Sequence, residues 1–327
     1  MGFPAQRLRR LRQNEKFRRL VRQHSLSIND LILPLFVVPG EGVKREISSI
    51  PGNYHLSIDK LIEEVKEIRD LGIPAILLFG VPDAKEKDLK ASHAYAPHGL
   101  VQEAIRALKK NVPEILVITD VCLCEFTPHS HCGILDQTGY LLNDASKEVL
   151  AKTALSHVEA GSDMVAPAAM LDGQIRAMRE IMDGAGFQNT PIMAYSAKYA
   201  SKLYDPFFKE GTQSALSHGD KKTHQMDSGN SDEAMREIAL DIEEGADIVM
   251  VKPALYYLDI VYRAKTEFGM PLATYNVSGE YAMIDAAARI GRLDKKLIMM
   301  EALTSMKRAG ADIIITYFAK EVAKELK

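Results

Sequence analysis

The chain has 327 residues, 46% of them hydrophobic and 26% charged, with a formal net charge of −3. That composition supports a sizeable core, as one large α/β barrel or two ordinary domains, and gives no global reason for a polyanionic partner. No apolar run approaches the roughly 18 residues that span a bilayer, and the N-terminus lacks the apolar centre of a secretory signal. Neither a membrane nor a nucleic acid is therefore expected as a partner, and a cytoplasmic location is.

The first segment in chain order is a basic arm. Gln6–Arg22 carries Arg7, Arg9, Arg10, Arg12, Lys16, Arg18, Arg19 and Arg22 against Glu15 alone. Such a run suits nucleic acid, an organellar presequence or an acidic neighbouring subunit. Phe17 is its only ring, which is poor equipment for stacking on bases. Residues 1–30 are read as an arm for subunit contacts, outside the main domain of residues 31–327.

Eight short apolar runs follow: Leu31–Val38, Ala75–Phe79, Ile115–Thr119, Met164–Pro167, Pro191–Tyr195, Asp247–Val251, Pro271–Val277 and Asp312–Thr316. Amphipathic stretches such as Ile58–Leu71, Ser146–Ala160, Asp232–Glu244 and Leu297–Ala309 separate them. Three of the junctions, Ala160–Pro167, Glu244–Val251 and Ala309–Thr316, share one grammar. A helix ends in glycine, a two-residue link follows, and then comes an apolar run rich in β-branched residues. Continuous apolar strands alternating with helices imply a parallel sheet covered on both faces. Eight such units in series predict an α/β fold, a (β/α)8 TIM barrel with an extended N-terminal arm.

A barrel places its chemistry where the strands end. Asp120 follows the third run, Lys198 the fifth, Lys252 the sixth, Ser278 the seventh and Tyr317 the eighth. Lys198 and Lys252 close apolar stretches, where desolvation lowers an ammonium pKa and each cation lowers the other's. A neutral lysine in a pocket attacks carbonyls, so two of them suggest substrates held as Schiff bases. Either lysine alone is as well explained by snorkelling into water.

Cys122, Cys124 and Cys132, the only cysteines, crowd into eleven residues. An odd count so placed argues against a disulfide framework and for a reducing compartment. Two thiolates at i and i+2 and a third eight residues on suit one borderline ion, Zn2+, with a fourth position open for catalysis. His129 or His131 as a fourth ligand would make the site structural instead. Farther on, Tyr204–Gln225 has no clear periodicity and lies between the two lysine-bearing strand ends. It reads as an active-site lid whose cations clamp a substrate carboxylate.

These residues resemble the porphobilinogen synthase family, also called 5-aminolevulinate dehydratase, over essentially the whole chain. The matches are the cysteine loop, Tyr195–Ser201, Met250–Pro253 with Tyr257–Ile260, Tyr275–Tyr281, Ile313–Tyr317, Gly99–Gln102 and the Arg9–Arg22 arm. The resemblance implies condensation of two 5-aminolevulinate molecules to porphobilinogen, with loss of two waters, in heme and other tetrapyrrole biosynthesis. It assigns Lys252 the Schiff base with the first substrate, and Ser278 and Tyr317 its carboxylate. Lys198 faces the second substrate, which the zinc on Cys122, Cys124 and Cys132 helps to bind, with Asp120 beside the metal. Lys221 clamps the second carboxylate, and Tyr204, Phe208 and Gln225 belong to the same substrate-facing segment. Glu237 matches a position where bacterial members hold an allosteric Mg2+ between subunits, and the assembly implied is a homooctamer.

The chain departs from the family pattern at Ala168, Ala169 and Phe208, where a hydroxyl, a carboxylate and a guanidinium are the usual groups. Weaker binding of the second substrate is the expected result. Two rival readings are a catalytically weakened barrel acting as an interaction protein and a Schiff-base aldolase on the same fold.

Overall fold

The computed structural model describes residues 5–327; residues 1–4 of the expected arm lie outside the described residues. The strands are β1 (Leu31–Val37), β2 (Lys44–Glu46), β3 (Tyr54–Leu56), β4 (Ala75–Gly80), β5 (Leu116–Val121), β6 (Met164–Pro167), β7 (Met193–Lys198), β8 (Ile248–Lys252), β9 (Leu272–Asn276) and β10 (Ile313–Thr316). Eight of them lie side by side in the order β6-β5-β4-β1-β10-β9-β8-β7, every pairing parallel. A bridge between Val165 and Ile192 joins β6 to the start of β7 and closes the ring. All eight expected strands are present, and the fold is a TIM barrel.

The helices are α1 (Glu15–Leu20), α2 (Ile58–Asp70), α3 (Leu100–Asn111), α4 (Asn143–Glu159), α5 (Gln174–Gly184), α6 (Asp232–Glu243), α7 (Leu258–Phe268), α8 (Ser278–Arg289), α9 (Lys295–Ala309) and α10 (Ala319–Leu326). They cover the outside of the ring while side chains fill its inside, so β1, β4, β7 and β9 are buried at every residue. That double covering is why these strands read as unbroken apolar runs instead of alternating ones. On α2 the buried Leu61, Val65 and Ile68 recur at helical spacing and face the sheet.

The repeated junction has a physical purpose. Gly161, Gly245 and Gly310 have φ of 105°, 105° and 125°, a backbone region open mainly to glycine. Two residues on, an aspartate fastens three consecutive elements. Asp163 accepts from the Val117 N–H at 2.8 Å and pairs with Lys109 of α3 at 2.8 Å. Asp312 accepts from Leu272 N–H at 2.9 Å and pairs with Lys265 of α7 at 2.7 Å. Asp247 accepts from Ile192 N–H at 2.8 Å, with Arg179 of α5 at 4.0 Å. Each clamp sits where strands begin, at the end of the barrel opposite the reactive rim.

Three boundaries differ from the sequence reading. Lys198 and Lys252 are the last residues of β7 and β8, and Asp120 lies inside β5, one residue before its end. A polar side chain can end a strand without ending its hydrogen bonds, and β7 carries a register shift between Ala194 and Ala197 that lengthens it. Ser278 opens α8. The hairpin β2–β3, whose second strand pairs with β1, carries no apolar run in its exposed first strand and left no periodic signal.

Along the arm, residues 5–24 are exposed, and Arg18 and Arg22 pair with Glu15. Contact with the barrel begins at Leu26 and Ile28, which pack on the core, and at Asp30, which pairs with Lys307 at 3.1 Å.

Candidate active site

Strand register sets the centre of the site. Lys198 and Lys252 are direct partners across the parallel β7–β8 pair, which places their backbones about 5 Å apart. Both side chains are buried, 4% and 5% exposed. The Lys252 ammonium nitrogen lies 4.2 Å from the centre of the Tyr275 ring and 5.0, 5.2 and 5.3 Å from those of Tyr195, Tyr204 and Phe207. Burial, followed by the charge of Lys198, lowers its pKa to about 7. The free amine, which a carbonyl nucleophile requires, is therefore far more accessible near neutrality than in an ordinary lysine. Lys198 donates to the Ala168 carbonyl, so the backbone at a position that departs from the family pattern meets this amine directly.

Asp120 rises beside them from β5. Burial, then repulsion from Glu125, pushes its carboxyl to about 8, while the two lysines pull it down. One of its oxygens is buried without a hydrogen-bond partner.

The loop after β5 folds the three cysteines together, with all three sulfurs within 4.8 Å of one another. Cys122 and Cys124 sulfurs are 3.2 Å apart, and Cys124 donates to Glu125 Oε1 at 3.1 Å. So many acidic groups in a dry site cannot ionise together without a cation. Burial and then its bond to Cys122 push the Cys124 thiol up, whereas hydrogen bonds from Cys122 and Cys124 hold Cys132 well below its usual range. Three thiols converging in this way fit a soft or borderline metal ion. Asp120, Cys122 and Glu125 form a second, overlapping group of that kind.

The expected lid lies over the amines. Tyr204 donates its hydroxyl to the Lys252 carbonyl at 3.1 Å, and Met226 N–H reaches the Lys198 carbonyl at 3.1 Å. Between them the chain makes a turn over Phe207–Gly211. Glu210 in that turn accepts from the Ser48 hydroxyl at 2.6 Å and the Ser49 N–H at 2.9 Å, latching the lid to the β2–β3 loop. Tyr204, Phe208, Lys221 and Gln225 line one cavity of about 350 Å³. Lys221 is buried with its nitrogen 3.9 Å from the centre of the Phe208 ring and no hydrogen-bond partner. Burial lowers its pKa, but the charges of Cys124, Cys132 and Cys122 outweigh that and raise it, so it is a cation held in reserve. The Gln225 side-chain nitrogen is likewise unpartnered.

Ser278 and Tyr317 flank the Lys252 box. The Ser278 hydroxyl accepts from Phe207 N–H at 3.1 Å and donates to the Leu203 carbonyl at 3.3 Å, so it binds the lid backbone in this state. Tyr317 shares a hydroxyl contact of 3.1 Å with Tyr275.

The two histidines and Glu237 lie outside the cysteine group. His129 and His131 do not join the cysteines: His131 Nε2 contacts the His218 carbonyl at 3.1 Å, and His129 Nδ1 accepts from His131 N–H. The long loop packs His129 on His131 and His131 on His218, ring centres 5.6 and 5.2 Å apart, and leaves Glu125 beside the thiols. Glu237 lies on α6 in another cavity with Asp172 and Glu233, outside every three-ligand group found among the described residues. Its pKa is raised by burial and then by Asp172 and Glu233. Sequence reasoning missed Tyr195, Tyr275 and Glu125; the tyrosines sit in apolar strands and read as ordinary core.

The family described as Delta-aminolevulinic acid dehydratase matches residues 5–325. A delta-aminolevulinic acid dehydratase from Synechococcus elongatus is 54% identical over 327 residues and spans 99% of each chain. Its namesake from Bacillus subtilis is 49% identical over 320 residues and spans 98% of each. The solved delta-aminolevulinic acid dehydratase (porphobilinogen synthase) of Toxoplasma gondii, in complex with the reaction product porphobilinogen, superposes with a TM-score of 0.96 at 43% identity. That match covers 99% of this chain and 92% of the other.

Proposed function

The chain belongs to the delta-aminolevulinic acid dehydratase family, and from that premise we propose how its rim performs the reaction. It is a porphobilinogen synthase, a hydro-lyase of tetrapyrrole biosynthesis that joins two 5-aminolevulinate molecules and releases two waters. The observation that carries the assignment of roles is the pairing of two buried lysines across adjacent strands, one with its pKa brought near neutrality.

Lys252 Nζ, as free amine, attacks the ketone of the first substrate, and the carbinolamine loses water to give an iminium. That cation is an electron sink, which eases loss of a proton from the adjacent carbon. Tyr195, Tyr204, Phe207 and Tyr275 exclude water from the imine. Ser278 and Tyr317 are assigned to the first carboxylate, Ser278 exchanging its lid contacts for the substrate. Lys198 holds the second substrate, and Asp120 Oδ1, unpartnered and on a carboxyl that both lysines pull towards its charged form, carries protons between them. Lys221 and Gln225, both with unpartnered nitrogens, receive the second carboxylate, with Tyr204 and Phe208 as the walls. Holding both molecules removes much of the entropic cost of joining them.

Cys122, Cys124 and Cys132 are the residues that would hold Zn2+, a Lewis acid able to polarise the second substrate. The exposed basic arm is assigned to a homo-oligomer, an octamer, and its removal over residues 1–22 should give a smaller species by sedimentation. A Mg2+ at Glu237 would need waters or a neighbouring copy's carboxylates to complete its shell. The family match displaces the aldolase reading, and the presence of both lysines and all three cysteines counts against an inactive barrel.

The deciding experiment supplies 5-aminolevulinate, measures the pyrrole formed, and traps the imine with borohydride. Product with the adduct mapped to Lys252 is expected. Product formed by a Lys252→Met variant at the parent rate would overturn the assignment.

A further inference from the structure

The three residues given to the first substrate come from three strand ends, and one buried side chain ties all three together. Glu280, in the first turn of α8, is fully buried. Its Oε1 accepts from the N–H groups of Ala254 at 3.1 Å and Leu255 at 2.6 Å, the segment that follows Lys252. Its Oε2 accepts from Val277 N–H at 2.9 Å, next to Ser278, and from Asn276 Nδ2 at 3.0 Å. Asn276 Oδ1 in turn accepts from the Thr316 hydroxyl at 2.9 Å, and Thr316 Oγ1 accepts from Phe318 N–H at 3.1 Å. Tyr317 lies between those two anchored residues. Asn276 and Thr316 are also fully buried.

A helix cap does not account for this arrangement. Capping α8 occupies only the oxygen that meets Val277; the other is devoted to the lysine-bearing segment. All four groups around the carboxylate are N–H donors, so an acceptor-only side chain is the one that fits.

We infer that Glu280 is a positioning residue, which fixes the distance between the Schiff-base amine of Lys252 and the Ser278–Tyr317 carboxylate anchor and so selects 4-keto acids over simple ketones. The inference rests on the roles proposed above for those three residues. A keto acid bridges amine and anchor and reports their separation; a ketone with no carboxylate touches the amine alone.

The test uses the full-length assembled protein and two probes, 4-oxopentanoate and 2-pentanone, with borohydride trapping and peptide mapping at Lys252. The parent protein should trap the keto acid at far lower concentration than the ketone. Glu280→Gln sets an amide N–H against backbone donors, and should cut that preference by about tenfold or more while ketone trapping stays within about twofold, since misplacement of about 1 Å costs a pre-oriented site on this scale. An unchanged preference, or both probes falling by one common factor, would overturn the inference, since loss of folded protein does the latter. If Glu280→Gln does not fold, Thr316→Val removes the bonds to Asn276 and Phe318 on either side of Tyr317, keeps all four bonds of Glu280, and should lower the preference severalfold; no change there overturns the inference as well. Absence of any Lys252 adduct in the parent would instead refute the role of Lys252, a result distinguishable from failure of the Glu280 variants.

Discussion

Replacing Lys252 by methionine should abolish imine formation and also stabilise the fold at neutral pH. The amine titrates ordinarily at 10.5, and burial with the Lys198 charge brings it to about 7. A base whose pKa falls on folding binds fewer protons folded than unfolded, so it destabilises the native state. The penalty appears as pH drops below about 10.5, grows until about 7, and is constant beneath that. The span bounds it at roughly 5 kcal/mol. Relaxation and water penetration reduce the measurable share to about 1–3 kcal/mol. Asp120 offsets little, because burial and Glu125 keep its carboxyl mostly protonated at pH 7. Methionine has nearly the same length and packs well among aromatic rings. Thermal unfolding at one fixed protein concentration should therefore show a rise of a few degrees at about pH 7, shrinking towards about pH 10. No rise at neutral pH would refute the reasoning, and an equal rise at both would assign the effect to packing.

Three further outcomes are expected. A strong chelator should end pyrrole formation while far-ultraviolet circular dichroism stays native, because Cys122, Cys124 and Cys132 sit at and beyond the end of one strand of a ring joined by backbone pairing; full activity in metal-free protein by elemental analysis would contradict this. Gly279→Ala would put a methyl 2.5 Å from the Leu203 carbonyl oxygen and 2.7 Å from its Cα, so the lid should be displaced and kcat/KM should fall about tenfold or more, with the circular dichroism unchanged. Glu210→Gln weakens the latch to Ser48 and Ser49, a loss of about 1 kcal/mol at a partly exposed site, so trypsin should cut after Lys209 about fivefold faster; equal cleavage rates would show the latch to be idle.

How much of this was legible in the sequence depended on the range of the interactions involved. The strands announced themselves because each is buried on both faces, and the Gly-x-Asp junctions because helix termination is local chemistry. Lys198 and Lys252 stood out as charges ending apolar runs. Their pairing across β7 and β8 is a matter of register, which no single strand encodes. The same limit hid the aromatic box, since Tyr195 and Tyr275 converge on one amine only after the ring closes. It also hid the neighbours of the cysteines: spacing along the loop put His129 and His131 as near to the thiols as Glu125, and the loop's path decided between them. The β2–β3 hairpin gave no signal, because its exposed strand is held by partners distant in sequence. Phe208 read as a missing arginine, whereas it is the platform on which the Lys221 cation rests.

The aspartate clamps at the strand starts have a consequence for how such a protein can change over generations. Asp163, Asp247 and Asp312 fasten the barrel at one end, while substrate is met at the other. Selection on the rim and selection on the base thus act on separate sets of residues. Ala168, Ala169 and Phe208 lie on the rim, where an altered side chain changes what is bound and leaves the fastening untouched. A lineage can alter what the rim binds without loosening the base, and the scaffold outlasts each experiment.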